Sequence, residues 1–115
     1  MVSEYAYKIL TAEDWARARQ LGRSDTELDR TDGYVHLSTA CQVAETARLY
    51  YSNAKECALL EFAMADFEDV RWEASRGGQL FPHIYGELTL SRACRQWILE
   101  LDDDGCPILP QDLRS

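Results

Sequence analysis

Residues 57–64 read Cys57-Ala58-Leu59-Leu60-Glu61-Phe62-Ala63-Met64, a nearly continuous apolar run. A run this short and this apolar is a strand buried on both faces, since a half-exposed strand would alternate and an amphipathic helix would show its own period. It sets the centre of a sheet, and the rest of the chain must supply flanking strands and covering helices.

Segments of suitable pattern surround it. Residues 5–10 are aromatic and aliphatic enough for a strand. Thr11 follows as a helix N-cap, with Asp14 at the capping-box position and Leu10 and Trp15 placed as a hydrophobic staple. That helix should end near Leu21, where Gly22 can adopt the left-handed conformation. Ser24-Asp25-Thr26-Glu27 is a second capping box, opening one short helical turn. Asp32-Gly33 is a turn signal before a strictly alternating strand over 34–38, with Val35 and Leu37 on one side and Tyr34, His36 and Ser38 on the other. Thr39 and Gln42 cap a helix whose core stripe is Val43, Ala47 and Tyr50, with Ala44 and Tyr51 beside it. Residues 70–73 make a short strand, and Arg76-Gly77-Gly78-Gln79 is read as a mobile loop able to close over a ligand. Residues 81–88 extend with Phe81, His83, Tyr85 and Glu87 on one face. Residues 90–101 fit a helix or a strand, and the turn at 102–105 favours a strand in a terminal hairpin. Residues 1–115 are thus expected to form a single compact α+β domain, a mixed or antiparallel sheet with two main helices.

Charge narrows the partners. Twelve Lys and Arg against 20 Asp and Glu leave a formal charge of −8. Phosphate backbones are bound by a surplus of cations, and no basic patch is visible, so nucleic acid is not an expected partner. No stretch reaches the ~20 apolar residues that span a bilayer, and no signal-peptide pattern opens the sequence, so a cytoplasmic location is expected with no membrane partner. The four cysteines are widely spaced, without a C-x-x-C pair. They are expected as free thiols, mostly buried. No ligand spacing points to a metal.

The chemistry-bearing residues are few. The chain has two histidines, and both lie on the polar face of an extended segment. If those segments share a sheet, His36, His83, Ser38 and Tyr85 line one cleft with aromatic walls, the usual make-up of a small-molecule site. Both histidines are then expected to face solvent, and replacing either should leave stability nearly intact. The opposing reading is two structural histidines bonded to backbone. Glu73 is either an active-site carboxylate or one end of an ion pair with Arg71 or Arg76, and the sequence favours the ion pair. G-x-G-x-x-G, P-loop, H-E-x-x-H and G-x-S-x-G motifs are absent from the sequence.

Three motifs, Asp32-Gly33-Tyr34-Val35-His36-Leu37-Ser38-Thr39, Val70-Arg71-Trp72-Glu73 and Phe81-Pro82-His83-Ile84-Tyr85-Gly86, occur in this order. With Tyr7-Lys8-Ile9 and Trp15, they resemble the bacterial domain-of-unknown-function family 952 over residues 5 to about 101. That family is in turn similar to the ADP-ribosyltransferase-like fold, in which a strand histidine followed by a small residue and Ser or Thr holds the ribose and nicotinamide of NAD. The resemblance implies a ligand surface of Tyr34, His36, Ser38, Thr39, Phe81, His83 and Tyr85, with Glu73 and Glu87 as candidates for the catalytic carboxylate. Leu37 stands where many transferases have Gly.

Two function classes follow. One is an enzyme transferring ADP-ribose from NAD, with a glutamate stabilising the oxocarbenium-like transition state. The other is a non-catalytic module binding a nucleotide or another small molecule. A glutamate facing His36 across the cleft discriminates them.

Overall fold

The computed structural model describes residues 4–113 and, of Arg76, the backbone alone. Among the described residues, six strands and three α-helices appear in the order β1 (Tyr5–Leu10), α1 (Ala12–Leu21), α2 (Glu27–Asp32), β2 (Val35–His36), α3 (Val43–Tyr50), β3 (Ala58–Ala63), β4 (Val70–Ala74), β5 (Leu80–Ile84) and β6 (Ala93–Ile98). The strands form two antiparallel sheets of three, ordered β1-β3-β6 and β2-β5-β4, where the sequence suggested one sheet. The architecture is α+β, with the two main helices expected and a short α2 where the sequence suggested one helical turn.

The apolar run becomes β3, central in the first sheet and covered on both faces. One face packs Leu60 and Phe62 with Ala6, Leu10 and Ala18 of α1, and with Val35, Leu37 and Ile84 from the second sheet. The other packs Leu59 with Ile9, Val43, Ala47 and Leu109. Leu59, Leu60 and Phe62 are fully buried, and each contributes on the order of 1.5–3 kcal/mol through removal from water.

Helix α1 follows its local signals. Thr11 accepts from Asp14 N, and Gly22 at φ 77° donates to Ala18 O. Helix α2 departs from them. Its cap is Thr26, which accepts from Asp29 N, two residues beyond the Ser24 that the sequence pattern suggests. In α3 the buried stripe is Val43 and Ala47, while Tyr50 is exposed. Tyr51 is drawn inward instead, where its hydroxyl donates to Ile9 O. Of the cysteines, Cys57 is buried, Cys106 is intermediate and Cys41 and Cys94 are exposed, so mostly buried thiols is not the outcome. All four are free.

The strand expected over 34–38 stops at His36 for a reason in its neighbour. Leu37 N donates to Pro82 O at 3.1 Å, but proline has no N–H to return the bond. The ladder ends there, and the chain crosses to the first sheet, where Ser38 and Tyr7 exchange backbone bonds of 2.9 and 2.7 Å. The 76–78 segment is a tight turn joining β4 to β5, with Ser75 N bonded to Gln79 O and Gly77 at φ 65°. No helix among the described residues is long and apolar enough to cross a membrane.

Candidate functional site

The register of the second sheet builds a cluster of rings. His36 lies directly opposite His83, and Arg71 lies opposite His83 from the other side. Directly paired residues of an antiparallel ladder project from the same face, so the three form a row across β2, β5 and β4. Glu73, opposite Phe81, projects from that face too. The imidazole centroids of His36 and His83 are 5.2 Å apart. Tyr34 leans over the row, stacked on His83 at 4.2 Å and tilted against His36 at 4.6 Å and Tyr85 at 5.2 Å.

His83 is bonded on one side only. Its Nδ1 lies 2.8 Å from Glu73 Oε1, and the Tyr85 hydroxyl donates to the same carboxylate at 2.8 and 3.0 Å. The His83 bond first, and the Tyr85 bond second, hold the Glu73 carboxyl below its usual range. An ionised carboxylate only accepts, so Nδ1 carries the hydrogen and in the neutral ring Nε2 holds the lone pair. That Nε2 is buried and has no hydrogen-bond partner among the described residues. An imidazole oriented by a carboxylate, with its second nitrogen open, can serve as a general base or as an acceptor for a ligand hydroxyl.

His36 has a carboxylate on each side. Its Nδ1 is 2.7 Å from Asp29 Oδ1 and its Nε2 is 3.0 Å from Asp32 Oδ2. Both carboxylates sit on α2, three residues apart, so the short helix acts as a cradle for the ring. Asp29 is itself anchored by Lys8, whose Nζ lies 2.8 Å from Oδ2 and donates to His36 O at 3.0 Å. Lys8 is buried on the inner face of β1, and that burial lowers its pKa against the opposing pull of Asp29. Burial would raise the Asp29 carboxyl, but bonds from His36 and Lys8 outweigh it and hold the group below its usual range.

Comparison with known proteins places this geometry. The family described as Protein of unknown function (DUF952) matches residues 9–95. The chain belongs to the DUF952 family. A crystal structure of protein CC0527 from Caulobacter crescentus is similar at 40% identity with a TM-score of 0.87, covering 95% of this chain and 97% of that one. The solution structure of the same protein is similar at 38% identity and a TM-score of 0.76, with 90% of each chain covered. A comparison with curated proteins finds no match.

In this DUF952 chain, Tyr34, His36, His83, Tyr85 and Glu73 come together. Phe81 is buried on the same strand face. Ser38 does not contact the cluster through any described bond, because its hydroxyl pairs with Thr46 Oγ1 of α3 at 3.1 Å. Thr39 is buried at the turn into α3, where its N–H donates to Gln42 Oε1. Glu87 lies past the end of β5, exposed, with its carboxylate 3.9 Å from Arg23. Glu73 bonds His83 and Tyr85, while Arg71 pairs with Asp69 and its guanidinium covers the Tyr85 ring at 4.3 Å. The Arg76 side chain lies outside the described residues. His83 is 1% exposed, so it does not face a solvated cleft; Tyr34 stacks on it.

Asp29, Asp32, Lys8 and Arg71 are additions that sequence reasoning missed. Arg71 was legible, since it alternates with Glu73 on β4. Lys8 was not, because nothing local marks a lysine that folding will bury. Among the described residues no group of three or more His, Cys, Asp or Glu is arranged to hold a metal ion.

Proposed function

We propose that the face carrying Tyr34, His36, Glu73, His83 and Tyr85 is a small-molecule site for the nicotinamide-ribose end of NAD or a related nucleotide, in the manner of the ADP-ribosyltransferase-like fold. The observation that carries this reading is the convergence of four rings and an ionised carboxylate on one sheet face. Oxidised nicotinamide is a planar cation, attracted to aromatic faces and to carboxylates alike. Tyr34 offers a face, Tyr85 being covered by Arg71; Glu73 and Asp32 offer the charge, Asp29 being paired with Lys8. The open His83 Nε2 suits a ribose hydroxyl, once Tyr34 moves aside. As the glycosidic bond breaks and its electrons leave with nicotinamide, Glu73 would supply fixed negative charge beside the oxocarbenium-like ribose, whose C1 is then bonded by water or an acceptor hydroxyl that gives up its proton.

A non-catalytic binding module is the second reading. It is favoured by the engagement of both Glu73 oxygens by Tyr85 and one by His83, which suits a positioning carboxylate as well as a reacting one. A thermal-shift series against NAD, ADP-ribose and common nucleotides tests the site. A ligand at 100 times its Kd stabilises by about 2.7 kcal/mol, a readily measured rise in Tm. Nicotinamide release that is lost in Glu73→Gln, with NAD binding retained, identifies the enzyme. Binding without release identifies the module, and no shift with any of these compounds removes both.

A further inference from the structure

A cavity of about 240 Å3 adjoins the ring cluster and shares Tyr34 and Asp29 with it. Arg23, Ser24, Arg30 and Glu87 also line it. The sequence shows no basic run, yet folding gathers Arg17, Arg23 and Arg30 around the carboxylate of Asp25. Arg17 bonds Asp25 Oδ2 through Nε at 2.9 Å and through its terminal nitrogen at 2.8 Å, while Arg30 takes Oδ1 at 3.0 Å. These bonds, Arg17's first, hold the Asp25 carboxyl below its usual range.

Arg23 is left over. Its guanidinium is 3.7 Å from Asp25 Oδ1 and 3.9 Å from Glu87 Oε1, and neither separation is a hydrogen bond. The Ser24 hydroxyl in the cavity wall is buried and has no partner among the described residues. The acids of the wall are Asp25, Asp29 and Glu87, and Asp29 is already paired with Lys8. Asp25 and the exposed Glu87 are two carboxylates against three guanidiniums, so one positive charge is in excess at this cavity in a chain of net charge −8.

We propose that this cavity is a phosphate-binding subsite, in which the Arg23 fork takes the oxygens of a phosphate or diphosphate, the Ser24 hydroxyl rotates to donate, and exposed Glu87 swings away to solvent. The planar fork of arginine fits two phosphate oxygens at once. The inference rests on the nucleotide reading for the identity of the rest of the ligand. Tyr34, common to both walls, would set the phosphate beside the ring held on the sheet face.

Calorimetric titration of the full chain with pyrophosphate, NAD and nicotinamide riboside, which carries no phosphate, tests it. Arg23→Gln should weaken pyrophosphate and NAD roughly tenfold or more, the worth of one charge-assisted contact, and leave nicotinamide riboside unchanged. Glu87→Gln should strengthen pyrophosphate binding by removing a competing carboxylate. Arg23-dependent pyrophosphate binding without any NAD binding keeps the subsite and discards the nucleotide reading. The subsite is overturned if wild type does not bind pyrophosphate, if NAD binding ignores Arg23→Gln, or if all three ligands weaken equally.

Discussion

Each sheet carries a ladder of polar side chains across its strands, and the two ladders end differently. In the first sheet, Glu61 of β3 lies opposite both Tyr7 of β1 and Arg95 of β6. Tyr7 donates to Glu61 Oε2 at 2.8 Å, and Arg95 takes Oε1 at 2.9 Å and Oε2 at 2.7 Å before reaching Asp112 at 2.9 Å. Both carboxylate oxygens are satisfied, and Glu61 is 4% exposed. In the second sheet the matching carboxylate, Glu73, also binds a tyrosine, but its other partner, His83, keeps a buried nitrogen with no bond among the described residues. A buried polar cluster alone is therefore weak evidence of function. What separates the two is whether the pairing is complete.

The largest effect should come from opening the closed ladder. Glu61→Ala should cost about 3 kcal/mol in a urea titration, the low end for breaking a buried pair because Arg95 can turn to water. The Arg95 bond, and after it Tyr7, hold the Glu61 carboxyl below its usual range. Its contribution is therefore present above the unfolded value of about 4.3 and is lost as pH falls through the lower folded value. Wild-type stability should drop on acidification below about pH 4.3, and Glu61→Gln should flatten that part of the curve. An unchanged acid limb in Glu61→Gln would break the contrast between the ladders.

A smaller effect distinguishes the two histidines. His83 is fully buried, so His83→Ala should cost roughly 2 kcal/mol through the space it leaves. His36, whose side chain is 24% exposed, should cost no more than about 1 kcal/mol. Equal losses in urea midpoints would mean that the two rings share one structural role.

The smallest effect compares two caps. Thr11→Ala and Thr26→Ala should each cost about 1 kcal/mol. Only Thr26 holds the helix that presents Asp29 and Asp32 to His36, so only Thr26→Ala should also weaken ligand binding. If both caps weaken it equally, α2 is no cradle.

Much of this was legible from local pattern. Alternation around the Asp32-Gly33 turn put Tyr34 and His36 on one face, and alternation over 81–85 did the same for His83 and Tyr85. The apolar run at 57–64 became the central strand. Pairing between strands was not legible, because register is set by contacts far apart in sequence. The meeting of His36 with His83, and the withdrawal of Ser38 toward Thr46, follow from register. The capping signal at residues 24–27 was real but admitted two frames, and tertiary demands on Asp29 and Asp32 selected Thr26. Burial of Lys8 and the gathering of three arginines on Asp25 had no local signal, since charged residues read as surface until a partner is known.

Pro82 stands in the middle strand of its sheet, where an unreturned bond to Leu37 divides one network of backbone bonds from the next. Cooperative unfolding units tend to follow such seams. The β4–β5 hairpin is therefore expected to open before β1, β3 and β6, and its amides should exchange with solvent hydrogen ahead of those of β3. The half of the molecule that carries the open imidazole would then also be the half that opens first, and that motion would let a ligand in beneath Tyr34.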